Sequence, residues 1–160
     1  VQEIKGCDVI YETARLFPEI QFILLGFISA KFKKPVKPDN IYLYGEVSGD
    51  RVKNEMLKAD LLLFPTHTEG FPNVIIEAMV CGLPIISTPV GAIPEMIEKN
   101  GGILVPVNDV DAVAKAISVL HNKDLRREMV HWNRQKVKNY YTTDKVVNRI
   151  FEIYKGKYQY

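Results

Sequence analysis

Residues 60–89, DLLLFPTHTEGFPNVIIEAMVCGLPIISTP, decide the fold of this chain. The apolar run Leu61–Phe64 predicts a short strand that Pro65 ends, and residues 73–81 predict a helix. A second apolar run over residues 84–87 predicts another strand. Two strands that are joined through a helix run parallel, so this stretch is a strand–loop–helix–strand unit of an open α/β sheet.

Two carboxylates stand out in this unit. Glu69 lies in the loop after the first strand and Glu77 lies inside the helix, with seven residues between them. Loops that follow parallel strands gather at one edge of the sheet, where open α/β folds bind ligands. We therefore expect Glu69 to face a ligand crevice.

The start of the helix predicts an anion site. Pro72 suits a first helical turn and Asn73 can cap it, within the segment Phe71–Val74. The first N–H groups of a helix lack partners and carry a partial positive charge, which together favour phosphate. Glu77, about one turn further along, can reach hydroxyls beside that phosphate, and a carboxylate that accepts two hydrogen bonds from a vicinal diol suits ribose.

The order and spacing of these pieces resemble the nucleotide-sugar-binding half of retaining glycosyltransferases of the GT-B fold, in the group called glycosyl transferases group 1 (family 4). The resemblance extends from Lys5–Gly6 to about Tyr154. It implies a Rossmann-like three-layer α/β/α domain with a parallel sheet, which is the C-terminal half of a GT-B fold. The matching segments are Glu69–Asn73, Glu77–Met79, Gly82–Ile86, Gly91–Glu95 and Gly102–Val105.

Length and composition agree with one globular domain over residues 1–160. Hydrophobic residues make up 47% and charged residues 25% of the chain, and the net charge of +2 is too small to argue for nucleic acid. No apolar run is long enough to cross a bilayer, which makes the cytoplasm the expected compartment. Cys7 and Cys81 are the two cysteines, and their positions on helix-like segments indicate buried thiols rather than a disulfide.

The N-terminal part of the family pattern is incomplete in this sequence. The family places a strand ending in Gly-Arg before a Lys-Gly pair, and Lys5–Gly6 matches only the pair. We therefore expect the first strand of the sheet and the N-terminal, acceptor-binding domain to be absent from this chain. The resemblance gives Lys5 the role of neutralising the departing diphosphate; alternatively, Lys5 is a solvated surface lysine.

Three further loops fall at the same predicted edge of the sheet. The resemblance places Val47, in the loop after residues 41–45, near the nucleotide base. Gly91 either lets the backbone approach the sugar or phosphate closely or simply permits a turn. After the apolar run 20–26 the family shows Gly-x-Gly and a helix, whereas residues 30–40 hold four lysines and two prolines. This segment predicts a basic loop, with a contact to phosphate or acceptor as the alternative.

The C-terminal part predicts helices whose ends carry capping residues. Asn108 or Asp109 caps one helix, and Thr142 or Thr143 starts the last one. The last helix has an apolar face that contains Val147, Ile150, Phe151 and Tyr154. The GT-B resemblance implies that such terminal helices cross back toward the partner domain, which exposed apolar surface near Trp132 or Tyr154 would support.

The resemblance, taken with these features, implies the donor-binding domain of a retaining glycosyltransferase, which moves a sugar from a nucleoside diphosphate to an acceptor hydroxyl. Glu69 is the candidate catalytic carboxylate, holding sugar hydroxyls and supporting positive charge on the ring. Binding of the donor is assigned to Glu77 and to the helix start, with the loops near the base and sugar. These donor-binding residues are Lys5, Val47, Gly70, Phe71, Pro72, Asn73, Val74, Glu77 and Gly91.

No metal or separate cofactor is expected, because the three histidines are far apart in the sequence. His67, two residues before Glu69, is placed to touch the sugar. The expected setting of the parent protein is cell-surface polysaccharide or glycoconjugate synthesis, with peripheral membrane association possible, and this chain alone should be inactive in transfer. Two alternatives stay open: half of a GT-B nucleotide-sugar epimerase or hydrolase, and a non-catalytic Rossmann-like module in which Glu69 caps a turn and Glu77 is a solvated acid.

Overall fold

A computed structural model describes residues 5–27 and 36–156 of the chain. Within these residues, helices and strands alternate for most of the length and helices alone follow. A π-helical turn, Val137–Tyr141, joins the last two helices. The elements are α1 (Cys7–Leu16), β1 (Phe22–Leu25), β2 (Ile41–Gly45), α2 (Gly49–Lys58), β3 (Leu62–Phe64), α3 (Asn73–Cys81), β4 (Ile85–Ser87), α4 (Ile93–Ile97), β5 (Gly102–Leu104), α5 (Val110–Val119), α6 (Lys123–Lys136) and α7 (Thr143–Tyr154).

All strand pairs are parallel, as the strand–helix–strand pattern predicts. β1 pairs with β2, and β4 lies between β3 and β5, with Leu62 opposite Ile85 and Ile85 opposite Gly102. Over the described residues, no backbone ladder joins the pair β1–β2 to the other three strands. The parallel pairing is confirmed, but it is divided between two sheets.

The two faces of the strands pack against different helices. Ile86 of β4 belongs to one apolar core, which contains α1, α5 and the inner face of β1 and β2. Its neighbour Ile85 belongs to a second core with α2, α3 and α4. Side chains alternate between the faces of a strand, so β4 separates two helical layers. The predicted three-layer α/β/α arrangement is therefore confirmed.

Side chains cap α2 and α5, and Asp109 is one of the two residues predicted to cap α5. Ser48 caps α2 by accepting a hydrogen bond from the N–H of Arg51, and Asp109 caps α5 through the N–H of Ala112 at 2.8 Å. Both cysteines are free, and burial raises the pKa of the Cys7 thiol to about 11, which keeps it protonated at neutral pH.

α7 is the least covered element of the fold. It has no buried residue, and the apolar stripe predicted from the sequence is exposed, with Tyr154 at 87% and Phe151 and Val147 at 56%. Trp132 instead is half-buried against the second core. The exposed apolar surface at Tyr154 is thus present, while the surface expected near Trp132 is not.

Two further predictions concern the basic loop and the absence of a membrane-spanning segment. Most of the basic loop predicted over residues 30–40 lies outside the described residues, because positions 28–35 are not described. Over the described ranges, no helix has both the length and the apolar character that a bilayer crossing requires.

A buried asparagine attaches α6 to the strands. Asn133 is fully buried, and its Nδ2 donates hydrogen bonds to the carbonyl oxygens of Leu83 at 2.8 Å and Gly101 at 3.0 Å. These carbonyls lie just before β4 and β5. One amide group therefore satisfies two buried acceptors and fixes α6 against the amino ends of two strands.

Replacing this amide should destabilise the fold. We expect Asn133→Ala to lower the free energy of unfolding by about 2–4 kcal/mol, because two buried carbonyl groups lose their donor and a cavity forms. Asn139→Ala, at an exposed position of the π-helical turn, is the matched control and should change it by about 0.5 kcal/mol or less. Urea denaturation measures both, and equal effects would contradict the anchoring role of Asn133.

Candidate functional site

A lysine and a glutamate distant in sequence meet at the carboxyl end of β3. The Lys5 ammonium donates a hydrogen bond to the Glu69 carboxylate, and Lys5 Nζ also lies 5.8 Å from the centre of the Phe64 ring. The Lys5 side chain is 36% exposed and that of Glu69 only 14%. Lys5 is therefore a partly covered cation that is paired with a carboxylate. The resemblance gave Lys5 a role at the diphosphate and Glu69 a role at the sugar, and the two side chains are in contact.

Buried hydroxyl groups fix the loop that carries Glu69. Ser87 Oγ donates to the carbonyl of Phe64 at 2.7 Å, and Thr88 Oγ1 donates to the carbonyl of Thr66. Thr66 Oγ1 in turn donates to the carbonyl of Thr68 at 3.2 Å. Ser87, Thr88 and Thr66 are fully buried. These hydroxyls were not among the residues predicted from the sequence, although hydroxyls at the end of a predicted core strand are a recognisable signal.

Gly91 is required by the contact between two loops. Its φ is 55°, and a Cβ there would lie 2.3 Å from the carbonyl oxygen of Glu69 and 2.5 Å from that of Gly70. The N–H of Ala92 also donates to the Gly70 carbonyl at 2.8 Å. The observed role of Gly91 is thus a turn and a close approach of backbone to backbone. A contact between Gly91 and a ligand stays a prediction.

α3 begins differently from the sequence prediction. Asn73 does not cap the helix; Pro72 occupies the N-cap position with φ −75° and ψ 116°, and no side chain accepts a hydrogen bond there. The reason is that Asn73 is already helical, whereas a capping side chain comes from the flanking non-helical residue. Among the described residues, the N–H groups of Asn73 and Val74 have no acceptor, and the first turn holds no acid.

This helix start has the properties of an anion site. Two N–H groups are available and the positive end of the helix dipole is not neutralised by a side chain. The loop that leads to it carries Glu69 and its partner Lys5. The loop after β3 therefore holds a carboxylate paired with a cation and leads directly into a helix start with two available N–H groups.

The other predicted residues lie around this centre. Glu77 is exposed on α3, and within the described part of the chain it makes no ion pair or hydrogen bond. Val47 is half-buried in the loop after β2, at the carboxyl end of that strand. Phe71 is 53% exposed, and its ring meets that of Tyr141 edge to face, with centroids 5.9 Å apart. The sequence did not predict this contact between Phe71 and the π-helical turn. Tyr141 is partly buried there, and this burial raises the pKa of its phenol.

A second acid, Asp8, lies near the loop through His67, a contact that the sequence did not predict. Asp8 Oδ1 lies 4.0 Å from His67 Nε2, and both atoms are buried without a hydrogen-bond partner. Asp8 belongs to the first turn of α1, so the pair faces the same loop that holds Glu69. Over the described residues, no group of three or more His, Cys, Asp or Glu side chains is arranged to hold a metal ion.

Comparison with known proteins identifies relatives of the whole unit. The sequence pattern of the family described as "Glycosyl transferases group 1" matches residues 1–123. The chain is 37% identical over 107 residues to N-acetyl-alpha-D-glucosaminyl L-malate synthase from Bacillus anthracis, covering 66% of this chain and 28% of that protein. Other curated relatives are named for capsular polysaccharide and amylovoran biosynthesis. The chain spans about a third of the length of the curated relatives that it matches.

Solved structures share the fold. A crystal structure of Anabaena HepE in complex with UDP matches with a TM-score of 0.85 and 18% identity, over 96% of this chain and 46% of that one. The C-terminal domain of a glycosyl transferase group 1 family protein from Francisella tularensis matches with a TM-score of 0.77 and 22% identity, over 89% of this chain and 83% of that one. These neighbours are GT-B glycosyltransferases with Rossmann-like domains, which confirms the predicted fold class.

The loop contact at Gly91 generates a prediction about stability. Gly91→Ala should lower the free energy of unfolding by about 2 kcal/mol or more, because alanine tolerates neither the φ of 55° nor the nearby carbonyls. Gly49→Ala is the control, since a Cβ at this helical position meets no atom within 4 Å. Chemical denaturation of both variants tests this, and a Gly91→Ala protein as stable as Gly49→Ala would contradict it.

Proposed function

The chain belongs to the glycosyl transferases group 1 family, and we propose that it is the donor-binding domain of a retaining glycosyltransferase. The observation that carries the proposal is the helix start at Asn73, with two available N–H groups, at the end of the loop in which Glu69 pairs with Lys5. Curated relatives are named glycosyltransferases, and a neighbour of the same fold was crystallised with UDP. A nucleoside diphosphate sugar is therefore the proposed donor.

The diphosphate would bind at the amino end of α3. The N–H groups of Asn73 and Val74 would supply donors, and the Lys5 ammonium, paired with Glu69 in the loop that leads to them, would supply a full positive charge. An ammonium group has three donor hydrogens, so Lys5 can reach a phosphate oxygen while it keeps its bond to Glu69. The charge that develops on the leaving diphosphate would thus meet a fixed dipole and a positioned cation.

The two glutamates would take different parts of the donor. Glu77, exposed and unpaired among the described residues, would accept hydrogen bonds from the ribose hydroxyls. Glu69 uses one carboxylate oxygen for Lys5, which leaves the other oxygen for sugar hydroxyls and for the positive charge that develops on the ring. Because Lys5 keeps Glu69 engaged, we assign it an electrostatic role and no covalent glycosyl intermediate. The diphosphate itself is the proposed acceptor of the proton from the incoming hydroxyl.

The sheet division supports an additional upstream strand. In a doubly wound fold of order 3-2-1-4-5-6, the first strand lies between the second strand and the fourth. Here β1 and β3 would take those two positions, and no described backbone ladder joins them. Gly6, at the start of α1, lies directly against the Pro65 carbonyl at the end of β3. A further strand of the longer protein would fit between the two sheets and close them into one.

The exposed face of α7 supports a second, acceptor-binding domain. Its apolar side chains Val147, Ile150, Phe151 and Tyr154 are between 48% and 87% exposed. The curated relatives extend well beyond the region that matches this chain, and a neighbour that matches over most of its length is titled a C-terminal domain. We propose that this face packs against the acceptor domain, in a protein of cell-surface polysaccharide or glycoconjugate synthesis.

Nucleotide binding tests the donor site directly. One of UDP, GDP or ADP should raise the melting temperature of the chain, because a ligand of the folded state at 100 times its Kd adds about 2.7 kcal/mol of stability. Glu77→Ala should remove most of the shift by deleting the ribose contact. Glu95→Ala, at another exposed helical glutamate, should leave it unchanged.

The same titration on a chain extended at its N-terminus completes this test. A shift that appears only in the extended chain would show that the upstream strand is needed for nucleotide binding. No shift in either chain, or equal shifts in Glu77→Ala and Glu95→Ala, would contradict the proposed donor site.

The division between two domains gives a prediction for α7. Ile150→Ser with Phe151→Ser should change the unfolding free energy of this chain by about 0.5 kcal/mol or less, since both side chains are exposed. In the longer protein the same two substitutions should lower sugar transfer, because they remove the apolar contact with the acceptor domain. Lys145→Ser with Asn148→Ser, on the polar side of α7, is the control. Transfer is measured by release of the nucleoside diphosphate. Efficient transfer by the 160-residue chain alone would contradict the need for a second domain.

A further inference from the structure

A second concave site lies at the opposite edge of the strands. A cleft of about 550 Å³ is bounded by Asp60, just before β3, by Pro84, just before β4, and by one side of α6. The Glu69 loop follows the carboxyl end of β3, whereas this cleft lies at its amino end. A strand rises about 3.3 Å per residue, so the three residues of β3, which lie between the two sites, span about 10 Å.

The wall formed by α6 is strongly basic. Lys123, Arg126, Arg127 and Arg134 line the cleft together with His131, whereas Asp60 is the acid in its lining. These positions recur three or four residues apart, as side chains on one side of a helix do. From residue 123 to residue 134 the helix advances about 16 Å, which is long enough to present several separate cations along the cleft.

Most of this positive charge is not compensated locally. Arg127 bonds the Asp124 carboxylate at 3.0 Å. Among the described residues, Lys123, Arg126 and Arg134 have no ion pair. The carboxyl end of α3 lies beside Arg134 but offsets only about half an elementary charge. Even with Asp60 counted, the cleft therefore keeps a positive excess.

The basic wall is also held in place. Gly82 ends α3 with a φ of 78°, and a Cβ there would lie 2.7 Å from a guanidinium nitrogen of Arg134, so the glycine leaves the space that this group occupies. The adjacent residue, Asn133, attaches α6 through two buried hydrogen bonds. Because the helix itself is anchored, its cations stay at the cleft without reordering of the backbone when a ligand binds.

We propose that this cleft binds a phosphate-bearing anion, at a site separate from the donor site. Guanidinium groups match phosphate oxygens with paired N–H donors, and several cations along one helix suit a group with more than one negative charge. The same chemistry is offered by a free phosphate compound and by the headgroup of an anionic phospholipid. The proposal does not depend on the glycosyltransferase assignment, because its residues take no part in the donor site.

The first measurement uses free phosphate and reads the location of binding. Inorganic phosphate is titrated into the isotope-labelled chain at low salt, and NMR amide shifts are followed at Gly82 and along residues 123–134. These shifts should saturate, and Arg126→Gln with Arg134→Gln should weaken the binding by about tenfold or more. Lys145→Gln with Arg149→Gln removes the same charge from exposed positions of α7 and should change the affinity less than about twofold.

The second measurement tests lipid as the source of the phosphate. Co-sedimentation is compared for vesicles of phosphatidylcholine with 30% phosphatidylglycerol and for phosphatidylcholine alone, with the same variants. Retention only on the anionic vesicles, lost in the cleft variant and kept in the α7 variant, supports the cleft as a lipid-headgroup site. Saturable shifts with free phosphate, but no vesicle binding, support it as a site for a soluble phosphate compound.

Two results would overturn the proposal. One is the absence of binding in both measurements, and the other is an equal loss in the cleft and α7 variants, which would indicate general electrostatics. If circular dichroism shows that the Arg134 variant is unfolded, Lys123→Gln with Arg126→Gln replaces it. That variant keeps Arg134 against Gly82, so unchanged phosphate binding in it would equally count against the site.

Discussion

The candidate site depends on how closely the loops after β3 and β4 approach each other. The backbone at Gly91 occupies space beside the Glu69 and Gly70 carbonyls that a side chain would require. The buried hydroxyls of Ser87 and Thr88 donate hydrogen bonds to the carbonyls of Phe64 and Thr66, where this loop begins. The position of the Glu69 carboxylate is therefore determined by backbone contact and buried hydroxyls, and it does not rest on the ion pair alone.

The ion pair itself has a modest energetic value. Lys5 is 36% exposed, and partly solvated pairs contribute about 0–1 kcal/mol to stability. Its importance lies in position: it keeps a cation on the Glu69 loop, which leads into the α3 amino end, where two N–H groups have no acceptor among the described residues. An arriving diphosphate would then exchange water for fixed donors without a large reorganisation of the loop, which is how preorganised sites stabilise developing charge.

Sequence alone predicted best what local rules control. The bounds of α3 follow from turn residues and periodicity and are confirmed, and of the two candidates for the cap of α5, Asn108 and Asp109, the structure shows Asp109. The cap at Asn73 was wrong because a one-residue shift in the helix start exchanges the cap and the first helical position. The contacts between Asp8 and His67 and between Phe71 and Tyr141 join distant segments, so no local pattern contains them. Periodicity likewise identified the apolar stripe of α7 but not whether another element covers it.

α3 runs between the two proposed sites, with two N–H groups at its amino end that have no acceptor in the described part of the chain, and a basic cleft at its carboxyl end. Its amino end lies at the proposed donor site, and Gly82 at its carboxyl end contacts Arg134 in the basic cleft. The nine residues of the helix span about 13.5 Å. At that distance two unit charges interact by about 0.3 kcal/mol in water, and by about 1 kcal/mol at an effective dielectric constant of about 20. Charge alone therefore couples the sites weakly, and strong coupling between them would require α3 to move as a rigid element.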